Sequence, residues 1–201
     1  RQLIDQVKFN PPKVPADLHY IFDQIYRNNI PDPIKHYFSD VYLFCLHKDP
    51  TDVTKLRPIG IPTAIRRVIA RHIAQVFKAK FAEHLLPYNF AVGVPNGSDI
   101  IINTTHLAIE KYITNKQAAG ILPTRAALFL DLTNMFNLIS RTEFFDVIAT
   151  SFPELLPLVN LLYSSPGNVY YKYDDNKWRS LLMEEGSTQG CPLSPILAAL
   201  V

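Results

Sequence analysis

Four places in this sequence carry residues of a kind that does chemistry. Asp131 closes a continuous apolar run, "RAALFLDL" (125–132). A carboxylate at the end of a buried strand is costly unless partnered. A divalent cation is one such partner, since Mg2+ takes carboxylate and phosphate oxygens; capping of the following turn is the other. Phe136 stands five residues further on, in the turn "TNMFN". By itself it is an ordinary core aromatic. Gln189-Gly190 lies in "GSTQGCPLSPIL". A glycine lets a ligand approach the backbone, and a glutamine amide both donates and accepts, although an ordinary loop has the same composition. Lys48 and Arg57 flank the turn-rich tip of "HKDPTDVTKLRP". They are placed to clamp a phosphate chain, arginine as a fork and lysine as a point charge, or to be plain surface cations.

The elements that must carry these residues follow from periodicity and punctuation. Residues 15–31 hold apolar positions 18, 21, 22, 25 and 26 at helical spacing, closed by Pro31. "VYLFCLHK" (41–48) reads as a strand, and "RPIGIP" as the lead out of the tip after it. A long helix is expected from Pro62, with Ile65, Val68, Ile69, Ile73, Val76, Phe77 and Phe81 on one face and Arg66, Arg67, Arg71 and Lys78 mostly elsewhere. Ser98 is placed to cap a helix through "IINTTHLAIEKYITNK". Residues 125–132 read as a buried strand. Ser140 and Glu143 form a capping box for a helix from about Arg141. Residues 153–164 read as a short helix and 168–185 as a hairpin with a polar turn. Ser194 as N-cap and Pro195 at the first position open a last helix. Helices mixed with a few irregularly spaced strands point to an α+β fold.

Composition narrows the function classes. The 201 residues are 48% hydrophobic, enough for a sizeable core, and no uninterrupted apolar stretch has the length of a membrane span. Two distant cysteines, Cys45 and Cys191, and six scattered histidines give neither a disulfide framework nor a zinc spacing. A reducing intracellular setting is the default. Net charge is +2, but residues 48–80 hold eight Lys/Arg against two Asp, which makes that segment +6 and the remainder −4. Such a segment fits a polyanion, phosphate or nucleic-acid backbone, and equally a solvated helix face.

Taken in order, "HKDPTDVTKLRPIGIP", "LFLDLTNMFN" and "GSTQGCPLSPILAAL" resemble the fingers and palm motifs of reverse transcriptases. "QGCPLSPIL" is similar to the non-LTR retrotransposon and group II intron branch. The resemblance covers roughly residues 41–201. It implies an α+β right-hand polymerase: a helical lead-in over 1–40, fingers over 41–124, and a partial palm over 125–201 with inserted fingers-type helices and a hairpin. It also implies an RNA-directed DNA polymerase that adds dNTPs to a primer on an RNA or DNA template by two-metal transfer. In that pattern Asp131 is the catalytic metal ligand, with the Leu132 carbonyl on one of two Mg2+ ions. Lys48, Arg57 and the backbone from Asn134 through Met135 to Phe136 hold the triphosphate. Phe136 lies under the sugar as a gate against a 2′-hydroxyl, and Gln189 and Gly190 contact the nucleotide. Arg66, Arg67, Arg71 and Lys78 track the template–primer backbone. The physical requirements agree, since two metals must clamp the attacking and leaving oxygens and a large flat ring excludes a hydroxyl by clash.

The family also places an aromatic-x-Asp-Asp pair after the Gln-Gly block. "YYKYDDN" (170–176) precedes that block and reads as a polar hairpin turn. The chain is therefore expected to stop short of the second acidic motif and to be inactive alone. Its location is expected to be intracellular, and nuclear if the source is eukaryotic. Two further readings stay open. A viral RNA-dependent RNA polymerase usually has a second acid where Phe136 stands, and a degenerate or domesticated copy would only bind nucleic acid.

Overall fold

The computed structural model describes residues 16–49, 51–120, 127–173 and 176–201. The chain divides into two compact units, Arg1–Phe77 with Asn134–Val201, and Lys78–Thr133. The fold is α+β. The larger unit carries a mixed four-stranded sheet of order β2-β1-β3-β4, from β1 (Val41–Asp49), β2 (Asp52–Pro62), β3 (Gly167–Lys172) and β4 (Trp178–Met183). Segments on either side of the smaller unit thus share one sheet.

β1 and β2 form an antiparallel hairpin from Val41↔Pro62 to Asp49↔Asp52, with an irregularity between His47 and Asp49. Its tip is set by Asp49, whose Oδ1 accepts from Thr51 N at 2.9 Å and Thr51 Oγ1 at 2.7 Å. "RPIGIP" is not a lead-out but the second half of β2. Two prolines fit there because β2 is an edge strand and one side of it needs no ladder donor. β3 runs parallel to β1 through Val41↔Val169 and Tyr42↔Tyr170, and antiparallel to β4. The hairpin expected over 168–185 is present.

Helices α1 (Ala16–Tyr26) and α2 (Asp32–Ser39) precede the sheet; Pro31 does not close a single helix but caps the start of the second. α3 (Ala64–Val76) follows β2, capped by Thr63, which accepts from Arg66 N. α6 (Met135–Leu138), α7 (Arg141–Ser151), a 3-10 turn (Pro153–Leu155) and α8 (Leu156–Tyr163) lead to β3, and α9 (Ser194–Ala199) ends the unit. The Ser140 cap is as expected, its side chain accepting from Glu143 N. α8 buries Leu158, Val159, Leu161, Leu162 and Tyr163 and packs against α1, α2 and α7. A helix apolar on nearly all sides is a central one. Phe144, Ile148, Phe152, Ile196 and Leu197 complete this core.

The long helix expected from Pro62 is broken at Phe77, and α4 (Lys78–Leu85) resumes in the smaller unit. The buried stripe of α3 is Arg66, Ile69, Ala70, Ile73 and then Phe77, while Ile65 and Val68 are exposed. That stripe has regular three-and-four spacing, with an arginine in it.

The smaller unit holds α4 and α5 (Gly97–Ala118). Ser98 is not the cap of α5. Asn96 occupies that position in the left-handed region, so Ser98 falls inside the first turn. The buried strand expected over 125–132 is not formed across the described residues 127–132. Leu128, Phe129, Leu130 and Leu132 are exposed, and no described strand pairs with them. An apolar run becomes a strand only where a neighbour takes up its backbone groups. Among the described residues no single helix is long and apolar enough to cross a membrane.

Candidate functional site

The loop Gly186–Cys191 of the larger unit is held from two sides. Its main chain is tied to the α6 turn, where Gly186 N donates to Ile139 O at 3.1 Å and Ser187 N to Phe136 O at 2.6 Å. It is tied to the sheet edge as well, where Gly60 N donates to Gln189 O at 2.7 Å. Gly186, Ser187 and Thr188 are buried, Gln189 is half-buried and Gly190 exposed. Three stretches singled out by the sequence, "RPIGIP", "NMFN" and "STQG", therefore meet at one place.

Two glycines make the approach possible. A Cβ on Gly60 would sit 2.5 Å from Thr188 Cγ2. One on Gly190 would sit 2.4 Å from Gly60 O, and Gly190 has φ +121°, a conformation that disfavours side chains.

Two buried arginines hold the loop from behind. Arg141, first residue of α7, donates from Nε to Gly186 O (3.0 Å), from Nη1 to Tyr163 O (3.0 Å) and Ser165 O (3.4 Å), and from Nη2 to Met183 O (3.0 Å). Its backbone N donates to Glu185 Oε2 at 3.1 Å. Arg66 donates from Nη1 to Phe38 O (2.5 Å) and Ser39 O (3.3 Å), and from Nη2 to Thr188 Oγ1 (3.4 Å). Both guanidinium groups lie against the Tyr163 ring, at 5.1 Å for Arg66 and 5.5 Å for Arg141. Burial pulls the Arg141 guanidinium below its ordinary range, yet an arginine stays charged. Burial, with the Cys191 thiol next in weight, raises Tyr163 above an ordinary phenol.

The predicted site residues distribute as follows. Asn134 caps α6 in the left-handed region with φ +53°, and Met135 and Phe136 are half-buried in its first turn. Gln189 lines a cavity of about 340 Å³ with Leu43, Pro58, Val169, Leu181 and Glu184. Lys48 and Arg57 are exposed on the β1–β2 hairpin. Arg57 pairs with Leu46, so it belongs to the face of β2 that carries Ile59 and Ile61, opposite to Gly60 and the Gln189 loop. Arg57 is therefore not brought onto the face that holds Gln189. Ser194 does not act as an N-cap. It begins α9, and its Oγ donates to Thr188 O at 2.6 Å.

Of the four expected backbone-tracking cations, Arg67, Arg71 and Lys78 are exposed. Arg66 is the correction, at 1% exposure, with its guanidinium spent on main-chain carbonyls and Thr188. It is tolerated inside the protein because charge-assisted hydrogen bonds meet both terminal nitrogens, although its buried Nε has no hydrogen-bond partner among the described residues. Neither Arg66 nor Arg141 carried a local signal of this role, since their acceptors are mostly main-chain carbonyls far along the chain.

Asp131 and Leu132 belong to the smaller unit, and both are exposed. A carboxylate and a carbonyl are hard oxygen donors of the kind Mg2+ takes, so the donor chemistry fits. Among the described residues no group of three His, Cys, Asp or Glu side chains converges as a metal cluster. No protein-family model matches the chain, and no curated protein matches it.

Proposed function

We propose that this chain is part of a reverse transcriptase of the non-LTR retrotransposon or group II intron kind, and that the Gln189–Gly190 loop forms one wall of its nucleotide site. One observation carries the reading. The blocks around Gly60, Phe136 and Gln189, more than seventy residues apart in sequence at the first step, are joined by Gly60 N to Gln189 O at 2.7 Å and Ser187 N to Phe136 O at 2.6 Å. A loop built from two close glycine approaches and pinned by Arg66 and Arg141 is preorganised, which a nucleotide wall needs. Gln189 offers its amide to base or sugar, and Gly190 keeps the backbone open to the ligand. Phe136, half-buried beside Ser187, is the ring that excludes a 2′-hydroxyl.

Asp131 with the Leu132 carbonyl would hold Mg2+, which would supply charge neutralisation at the reacting phosphate. Lys48 is the triphosphate cation of the β1–β2 hairpin, Arg57 facing away from the Gln189 loop, and Arg67, Arg71 and Lys78 meet the template–primer backbone. A second reading, a descendant that only binds nucleic acid, is favoured by one observation: the segment bearing Asp131 is exposed and unpaired. Calorimetric titration of the chain with a dNTP separates the two. Saturable binding, weakened about tenfold by Gln189→Ala through loss of one or two hydrogen bonds, supports the polymerase lineage. Absence of nucleotide binding, or binding indifferent to Gln189→Ala, overturns it.

A further inference from the structure

The face of the sheet opposite the Gln189 loop carries a row of exposed rings. β-strand alternation and the observed register put Tyr42, Phe44, Tyr170, Lys172 and Trp178 on this one side. Tyr42 lies between its neighbours, 5.8 Å from the Tyr170 ring and 5.4 Å from the Trp178 ring, edge-on to the latter. Tyr42 is 47% exposed, Trp178 52% and Phe44 53%. Packing inside the unit therefore leaves half of each ring uncovered.

Cations stand in the same row. Lys172 Nζ is 5.6 Å from the Trp178 ring, and Arg57 rises from this same face of β2. The Asp40 carboxylate, bonded to Tyr170 of this face, is spent within the unit. It is 9% exposed, and its oxygens accept from Asn168 N (2.8 Å), Asn168 Nδ2 (3.3 Å) and Tyr170 OH (3.3 Å). That contact also anchors the Tyr170 ring.

We propose that this face is a binding platform for single-stranded nucleic acid, with bases stacked on Tyr42 and Trp178 and phosphates met by Lys172 and Arg57. Rings presented from a sheet with interleaved cations suit an unpaired strand, because every base has a π-face and the backbone supplies the negative charge. A protein partner that covered Lys172 without a carboxylate opposite it would leave that cation desolvated and unpaired. The platform is separate from the Gln189 wall and needs neither nucleotide nor metal, so it stands or falls apart from the polymerase reading.

Trp178 is the only tryptophan in the chain and reports on the site directly. The test is titration of the chain, in chelator and without dNTP, with a single-stranded oligothymidylate of about twelve nucleotides, a length within the usual footprint of stacking platforms. Saturable quenching of Trp178 is expected. Tyr42→Leu keeps the face apolar but removes the ring, and is expected to weaken binding about tenfold, as loss of one stacked base does. Lys172→Gln is expected to lower the slope of log K against log salt by about 0.7, the value for one phosphate contact on a single strand. Unchanged circular dichroism of both exposed-site variants shows that they fold. No quenching, or quenching that Tyr42→Leu leaves intact, overturns the proposal. So does a concentration-dependent change in Trp178 emission without nucleic acid, which assigns the face to a second copy of the chain.

Discussion

The loop and the sheet edge approach each other through two glycines that face different kinds of obstacle, and this difference is measurable. In Gly60→Ala the new methyl meets Thr188 Cγ2 at 2.5 Å, the end of a side chain. In Gly190→Ala it meets Gly60 O at 2.4 Å, a main-chain atom that is already the neighbour of a hydrogen-bonded amide, and at a φ of +121°. Overpacking of the first kind costs about 2 kcal/mol. The second adds backbone strain to a clash that cannot rotate away, and about 3 kcal/mol is expected. Thr188→Ser removes the obstructing methyl while retaining the Oγ that accepts from Arg66 at 3.4 Å. Alone it costs about 1 kcal/mol for a lost buried methyl. Combined with Gly60→Ala the methyl volume is exchanged across the interface, and a favourable coupling of about 2 kcal/mol is expected. Gly190→Ala has no such rescue. Urea unfolding of the four single and double variants, with hydrogen exchange at the Gly60 amide, reads both effects. Additive behaviour of Gly60→Ala and Thr188→Ser, or a Gly190→Ala variant as stable as the parent, refutes the close packing of this loop on β2.

Other consequences are as direct. Arg66→Ala orphans Phe38 O and the Thr188 hydroxyl in the core and is expected to cost about 4 kcal/mol by denaturant unfolding, while Arg67→Ala and Arg71→Ala, both exposed, stay within about 0.5 kcal/mol of the parent. Ser140→Ala removes the acceptor of Glu143 N and costs about 1 kcal/mol in the same assay. Tyr26 OH donates to Glu154 O at 2.6 Å, and burial, then the Glu154 charge, pushes its phenol from 10.0 up to about 12. Below pH 10 both folded and unfolded chains keep this proton and its stabilisation is complete. Between the two values the unfolded chain ionises first, and stability falls as the pH rises. Tyr26→Phe is expected to flatten the alkaline limb of the stability profile in that window, and an unchanged limb would contradict the buried phenol.

What was readable in the sequence was what local pattern decides. β1, the hairpin after residue 167, α8 and the Ser140 cap follow from apolar runs, turn residues and a capping box. What was not readable depends on partners distant along the chain. Arg66 sits in a regular buried stripe with Ile69, Ala70, Ile73 and Phe77, but a charge in such a stripe looks misplaced until Phe38 O and Ser39 O are known to meet it. "RPIGIP" reads as a lead-out because two prolines and a glycine disfavour strands. Its place at the sheet edge and the approach of Thr188 remove both objections. The run 125–132 has every local mark of a buried strand, yet pairing is not a local property, and its described residues stay exposed. The candidate site shows the same division. Gln189, Gly190 and Phe136 were identifiable as blocks, whereas the opposite facing of Arg57 and the two arginine anchors appear only with the β1–β2 register and the Tyr163 stack.

Primer extension by the full-length protein that carries these blocks tests most sharply whether they belong to a polymerase that selects deoxynucleotides. Mg2+-dependent incorporation of dNTPs on an RNA template is expected, abolished by Asp131→Asn, with Phe136→Ala admitting ribonucleotides. Incorporation that survives Asp131→Asn, or sugar selection unchanged by Phe136→Ala, would contradict it.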